Sequence, residues 1–231
     1  MKIIALGDTH GRTIWKEITT ADDFDKVVFI GDYFDTHEDI SAEQQMRNFE
    51  DIVAFKSKNS DKVILLFGNH DFHYLSSMDE RYSGYNRWNA SEIEEMLLNA
   101  LALGLMQMCF VHETFLFTHA GVTKTWSKAN NIDLSDIETS INNLFRYQPG
   151  AFKFTTGRDY SPYGDEICQT PIWVRPDSLQ KDAVEGYTHV VGHTTQDQLV
   201  LTRKVVLIDT LGTSGEYLSI LNGKMSVNSR L

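Results

Sequence analysis

The chain has 231 residues, 42% of them apolar, which suffices for the core of one domain spanning 1–231. With 21 Lys and Arg against 32 Asp and Glu, its formal charge of −11 argues against a grip on a nucleic-acid backbone, which needs clustered cations. An anionic substrate is still allowed, provided positive charge is concentrated locally. Cys109 and Cys168 are too few and too far apart for a disulfide framework or a thiolate zinc site, and read as reduced thiols. The apolar start reaches Asp8 too soon for a secretory leader, and no run is long enough to span a membrane. The expectation is a soluble cytoplasmic protein with neither nucleic acid nor membrane as a partner.

In chain order, Lys2 to Leu6 reads as a buried strand, followed by a polar turn and a helix from about Thr13. Asp25 to Ile30 is a second strand. Ser41 starts a helix with Gln44 in the capping-box position, and Met46, Phe49, Ile52, Val53 and Phe55 follow at helical spacing. Asp61 to Phe67 is a third strand. Continuous apolar strands alternating with an amphipathic helix argue for βαβ units and a parallel sheet. Residues 72–90 hold Tyr74, Arg81, Tyr82, Tyr85, Arg87 and Trp88 without periodicity, as a surface loop packed by its aromatics or a lid over a site. Ser91, with Glu94 three residues on, predicts a capped helix that ends near Gly104.

Met108–Val111 and Thr114–Phe117 form a predicted hairpin around His112-Glu113, and Leu134 to Tyr147 a further helix. Residues 148–187 hold all four prolines and read as a long irregular insert. The chain then turns to strands: His189–Val191, Val205–Ile208, and Tyr217–Leu221 before an Asn222-Gly223 turn. The predicted architecture is α/β, a four-layer α/β/β/α sandwich of two mixed sheets flanked by helices.

Five apolar strands end in Asp, Asn or His beside glycine: Gly7-Asp8-Thr9-His10-Gly11, Gly31-Asp32-Tyr33-Phe34-Asp35, Gly68-Asn69-His70-Asp71, Thr118-His119-Ala120-Gly121 and Gly192-His193-Thr194. Strand ends are where open α/β sheets build sites, so these five places assemble one site. Asp8 and His10 can reach one ion, the two oxygens of Asp32 can bridge two ions, and Asn69, His119 and His193 add a carbonyl and two imidazoles. This mixed oxygen and nitrogen set suits two divalent ions, manganese first, with iron or zinc also fitting. Two such ions activate a water and clamp an in-line phosphoryl displacement. His37 and His73 follow motif residues closely and read first as surface residues or supports of motif side chains, with lining of the site mouth as the alternative, and His189 reads as structural.

In its order, this motif set resembles the calcineurin-like metallophosphoesterase superfamily, which includes serine/threonine protein phosphatases and diadenosine tetraphosphate hydrolases. The resemblance spans residues 7–194. It implies that Asp8, His10 and Asp32 hold a first metal, and that Asp32 bridges to a second held also by Asn69, His119 and His193. It further implies that His70 protonates the leaving oxygen with Asp35 orienting its ring, and that Asn69 and Arg175 contact phosphate. Two positions depart from the pattern. Thr195 stands where many members carry a second histidine, and Thr36 where the protein-phosphatase branch has a phosphate-binding arginine. Arg175, in Pro171-Ile172-Trp173-Val174-Arg175-Pro176, is the expected clamp, with Arg158 and Arg12 weaker candidates.

The expected function is a dinuclear metal-dependent phosphatase that hydrolyses a phosphomonoester with a metal-held hydroxide, its partner a phosphorylated substrate such as phosphoserine or phosphothreonine in a protein. A dinucleoside polyphosphate or other nucleotide is the alternative substrate, with Tyr82, Tyr85 and Trp88 stacking a base. A non-catalytic scaffold would have lost ligands that this chain keeps.

Overall fold

A computed structural model describes residues 1–155 and 165–230. The strands are β1 (Lys2–Leu6), β2 (Lys26–Phe29), β3 (Val63–Leu66), β4 (Met106–Gln107), β5 (Phe110–His112), β6 (Phe115–Phe117), β7 (Thr188–Val191), β8 (Val200–Leu201), β9 (Val205–Leu207), β10 (Glu216–Leu221) and β11 (Lys224–Ser229). The helices are α1 (Trp15–Ala21), α2 (Ala42–Lys58), α3 (Asn69–Phe72), α4 (Ala90–Ala102), α5 (Lys124–Ala129), α6 (Ile137–Tyr147) and α7 (Pro176–Asp182). One sheet runs β11-β10-β1-β2-β3-β4 and the other β5-β6-β7-β9-β8. Within them β1 to β4 are mutually parallel, as are β6, β7 and β9, while β10, β11, β5 and β8 pair antiparallel.

Alternation along each strand creates the layers. Ile3, Ala5, Val28, Ile30, Ile64 and Leu66 face Phe110, Phe117, Val190, Val206 and Ile208 across the gap between the sheets. Their neighbours Ile4, Leu6, Val27, Phe29, Val63 and Leu65 face outward onto Trp15 and Ile18 of α1, Phe49 and Ile52 of α2, and Ile93 and Leu97 of α4. On the far side, Val191, Val205 and Leu207 pack against Leu179 and Ala183 of α7 and its C-cap. The result is the expected four-layer sandwich of two mixed sheets flanked by helices.

The capping box at Ser41 is present: Gln44 N donates to Ser41 Oγ at 3.3 Å and Ser41 N to Gln44 Oε1 at 2.8 Å. At α4 the expectation fails. Asn89, not Ser91, is the N-cap, and the helix starts at Ala90. Glu94 is drawn away from its own helix end because its Oε1 accepts Ser76 N at 2.8 Å. The 148–187 stretch is also more ordered than expected. Pro149 opens a 3-10 turn and Pro176 occupies the first turn of α7, so these prolines start helices, where a missing N–H costs nothing. Ile172, Trp173 and Val174 are buried ahead of α7. Arg158 and Pro162 lie outside the described residues. The short strands β4 and β8 were not foreseen, since two residues carry no alternation to read. No helix among the described residues is long and apolar enough to cross a membrane.

His189, in β7, is fully buried, as its structural reading required. Its Nε2 donates to Val184 O at 3.0 Å and its Nδ1 faces Val122 N at 3.4 Å, so the neutral ring satisfies both. Burial pulls its pKa from 6.5 down to about 4. Between those values the unfolded chain binds a proton that the folded chain refuses, so stability falls as pH drops through that window. His189 should therefore cost about 2 kcal/mol of stability between about pH 7 and pH 5. Urea unfolding at the two pH values checks this: His189→Gln should lose correspondingly less, and equal losses would contradict it.

Candidate active site and metal centre

All the motif residues emerge from one edge of the sandwich. Asp8, Asp32 and Asn69 follow β1, β2 and β3, while His119 and His193 follow β6 and β7. These are C-terminal ends of parallel strands in two facing sheets, so the side chains converge from both sides. Asp8, His10, Asp32, Asp35, Asn69, His70, Arg175 and His193 line one cavity of about 470 Å³. His119 lies fully buried behind it, its Nε2 3.4 Å from Asp32 Oδ2 and 3.0 Å from Asn69 Oδ1. Every site residue expected from the sequence therefore lies at or against this cavity.

The backbone is bent to make this possible. His10, Asp32, Asp35 and His193 all have positive φ, at 44°, 52°, 62° and 64°, a conformation that L-residues with a Cβ adopt only under local constraint. Two glycines are required by close approach. A Cβ on Gly192 would lie 1.9 Å from Asp8 Oδ1, and one on Gly68 would lie 2.1 Å from Asp32 Oδ1. Asp71, which was given no role from the sequence, ties two of the loops together. Its fully buried carboxylate accepts Asp32 N and Gly68 N at 2.9 Å and Tyr33 N at 2.8 Å. Burial, with the nearby Asp32 charge, lifts its pKa to about 7.

The imidazoles are oriented by main-chain carbonyls. His10 Nδ1 lies 2.7 Å from Phe34 O, His119 Nδ1 3.0 Å from Ile30 O, and His193 Nε2 3.1 Å from Trp173 O. A carbonyl only accepts, so in each neutral ring the proton sits on that outer nitrogen and the inner nitrogen carries a lone pair. Those lone pairs point inward. His119 Nε2 and His193 Nδ1 face Asn69 Oδ1 at 3.0 and 2.8 Å, and His10 Nε2 faces Asp32 Oδ2 at 3.9 Å. Burial also holds His10 below the usual histidine pKa, and burial with the Arg175 charge holds His193 well below it, so both favour the neutral, ligating form. Acceptors facing acceptors in a buried site is the arrangement a cation resolves, and tethering the far nitrogen is how proteins orient metal ligands.

The carboxylates tell the same story. Asp8 and Asp32 are buried side by side, at 1% and 2% exposure. Burial, then the charges of Asp209 and Asp32, push Asp8 well above the carboxylate range. For Asp32 burial works in the same direction, but His119, His70 and His10 outweigh it and hold the group well below that range. Donor atoms of Asp8, Asp32 and His119 lie within 4.8 Å of one another, as do those of Asp35, His70 and His73. The two groups differ in where the protons are. In the second, His73 Nδ1 accepts Tyr82 N at 3.2 Å, which leaves a proton on Nε2, 2.6 Å from Asp35 Oδ2 but off line for a hydrogen bond, so this group presents protons rather than lone pairs to its carboxylate.

His70 Nδ1 lies 3.0 Å from Asp35 Oδ2. Burial alone would lower this ring's pKa, but the Asp32 charge and the Asp35 hydrogen bond outweigh it and hold the pKa above 6.5. Arg175 Nη1 donates to His193 O at 2.9 Å and Thr194 Oγ1 at 3.0 Å, which seats its guanidinium at the cavity wall. Arg12 also lines the cavity, with Nη2 and Nε 2.6 and 2.7 Å from Glu38 Oε1. The position of Thr36 is spent locally, its hydroxyl accepting Glu38 N at 3.0 Å.

Asp209 was missed. It follows β9 as a sixth strand end at the cavity, 4% exposed, and its Oδ2 accepts the Thr195 hydroxyl at 2.8 Å. The signal was present, because Val205–Ile208 is an apolar run into Asp209, but no glycine stands beside it. His73 proves wholly buried against Asp35, so it is a support and not a surface residue, whereas His37 is exposed at the cavity rim. Of the aromatics in 74–88, Tyr82 lines the cavity, Tyr85 stacks on Tyr74, and Trp88 is 82% exposed.

A sandwich of two mixed sheets with this buried cluster at its strand ends is the architecture of the metal-dependent phosphoesterases. The match to the calcineurin-like phosphoesterase family over residues 1–196 places the chain in that family. Among solved structures it is similar to a Saccharomyces cerevisiae serine/threonine phosphatase described as similar to human phosphatase PP5, at 14% identity and TM-score 0.60, covering 100% of this chain and 80% of that one. It is also similar to a metallophosphoesterase from Sphaerobacter thermophilus, at 12% identity and TM-score 0.53, covering 100% and 89%. At such identities the likeness concerns the fold. No curated protein matches the chain.

The close approach at Gly192 carries a prediction. Gly192→Ala should displace Asp8 or break the turn and so reduce the metal retained after loading with manganese and desalting. Elemental analysis checks this, and wild-type metal content in a folded variant would contradict it.

Proposed function

We propose that this chain is a dinuclear metal-dependent phosphomonoesterase, acting on phosphoserine or phosphothreonine in a protein. The observation that carries the reading is the set of three imidazoles whose outer nitrogens are tied to carbonyls while their lone pairs converge on buried Asp32 and Asn69, beside buried Asp8. Asp8, His10 and Asp32 would hold one divalent ion, and Asp32, Asn69, His119 and His193 the other. The donor set is oxygen and nitrogen without thiolate, which favours manganese, with iron or zinc also suited. When bound, such a pair lowers the pKa of a water and neutralises charge on the phosphoryl oxygens.

The chain's own residues do the rest. Arg175, with Arg12 opposite Glu38, brings cationic donors to the wall where phosphoryl oxygens would sit, and a guanidinium fork matches that geometry. His70, with Nδ1 committed to Asp35, turns its other nitrogen to the cavity and delivers a proton to the departing oxygen. An alkoxide leaving group needs that proton most, which suits serine and threonine esters. Of the three aromatics that would clamp a nucleobase, Tyr82 lines the cavity but Tyr85 packs on Tyr74 and Trp88 lies outside it, so they do not form a clamp around one base.

The reading is tested with metal-stripped protein reloaded with manganese and offered a phosphopeptide, a dinucleoside tetraphosphate and an aryl phosphate diester. Phosphopeptide preference is expected, and preference for either other substrate would overturn the substrate assignment. His70→Asn should keep its metal and lose about a hundredfold or more in turnover. Asp32→Asn should lose metal and activity together, and full occupancy by elemental analysis would contradict the bridging role. Arg175→Ala should raise the inhibition constant for inorganic phosphate, and an unchanged constant would remove the clamp.

A further inference from the structure

Asp35 is the meeting point of more donors than orienting one ring requires. Its carboxylate, 2% exposed, accepts from His70 Nδ1 at 3.0 Å on Oδ2 and from the Tyr74 hydroxyl on Oδ1, and His73 Nε2 lies 2.6 Å from Oδ2 in a close contact too far off line for a hydrogen bond. Each of the two extra donors is itself held by the segment 79–89. Tyr82 N donates to His73 Nδ1 at 3.2 Å, which fixes the His73 proton on the nitrogen facing Asp35. Asn86 N donates to the Tyr74 hydroxyl at 2.9 Å, which turns the hydroxyl proton toward Asp35. The Tyr82 ring stacks on His73 at 5.2 Å and the Tyr85 ring on Tyr74 at 5.0 Å, so loop aromatics cover both side chains. At Gly84 the loop backbone comes so close that a Cβ would lie 2.9 Å from Asp35 Cβ. The same loop presents Tyr82 and Ser83 to the cavity.

We propose that His73 and Tyr74 are positioning residues that lock Asp35, and through it the His70 ring, to the 79–89 loop. This rests on the reading of His70 as the general acid. Two main-chain N–H groups of the loop set the donor polarity of His73 and Tyr74. The Tyr74 hydrogen bond and the close His73 contact hold the carboxylate plane, and the carboxylate aims His70. Loss of either donor leaves Asp35 free to turn, and His70 then delivers its proton from a broader range of orientations. The chemistry predicts a selective defect: esters of basic alcohols depend on that proton, whereas esters of acidic phenols leave without it.

The test is a series of monoester substrates, from p-nitrophenyl phosphate through phenyl phosphate to an alkyl phosphate, with Tyr74→Phe, His73→Ala and His73→Gln. For Tyr74→Phe and His73→Ala the loss of turnover should grow along the series to about tenfold or more for the alkyl ester, with manganese content unchanged, the scale seen when an orienting partner is removed. His73→Gln, which can restore an N–H toward Asp35, should recover most of the loss. Equal loss across the series, or no loss, would overturn the proposal. Should His73→Ala not fold, Tyr74→Phe decides alone, because it removes one oxygen and keeps the ring. His70→Asn on the same series separates the two readings. If it shows no dependence on the leaving group, the acid assignment fails. If it shows the dependence and Tyr74→Phe does not, only the positioning role fails.

Discussion

The structure depends on the burial of two carboxylates, Asp8 and Asp32, in one cavity with a third, Asp209, beside them. Like charges in such surroundings are strongly unfavourable, and a protein keeps them only where a cation or protons compensate. Here the surrounding groups are arranged for a cation. The carbonyl-tethered imidazoles turn lone pairs inward, an amide oxygen faces two of them, and the guanidiniums stand at the cavity wall. A chain of net charge −11 thereby concentrates the capacity to attract phosphate at one point.

Holding that cluster shapes the backbone around it. The two sheets face each other closely enough that β1, β2 and β3 on one side and β6, β7 and β9 on the other deliver side chains into one volume. The turns after these strands run through left-handed conformations at His10, Asp32, Asp35 and His193, and Gly68 and Gly192 admit carboxylate oxygens where any Cβ would collide. Asp71 resists relaxation of two of these turns by taking three main-chain N–H groups. Local strain of this kind persists only where the surrounding structure over-determines it.

The layers and the ligand set were legible in the sequence for the same reason. Both are written locally, as apolar runs that alternate in facing and as Asp, Asn and His beside the glycine that ends each run. What was illegible depended on partners distant in the chain. Ser91 with Glu94 has the form of a capping box, but Ser76, fifteen residues before the serine, claims Glu94 and shifts the cap to Asn89. Pro149 and Pro176 read as breakers and start helices instead. His73 had nothing to mark it, because its partners Asp35 and Tyr82 N approach from two other segments.

By itself the sequence determined the two apolar sheets, the strand ends that carry the candidate ligands, and the residue types that suit a metal-dependent phosphoesterase. Only the tertiary structure decided which nitrogen of each imidazole faces the cavity, since that follows from where Phe34, Ile30 and Trp173 place their carbonyls. It alone added Asp209, brought in from the end of β9, and gathered His70, His73 and Tyr74 on one carboxylate. Residue type is a local property, whereas proton placement and charge compensation are set by neighbours that the fold brings together.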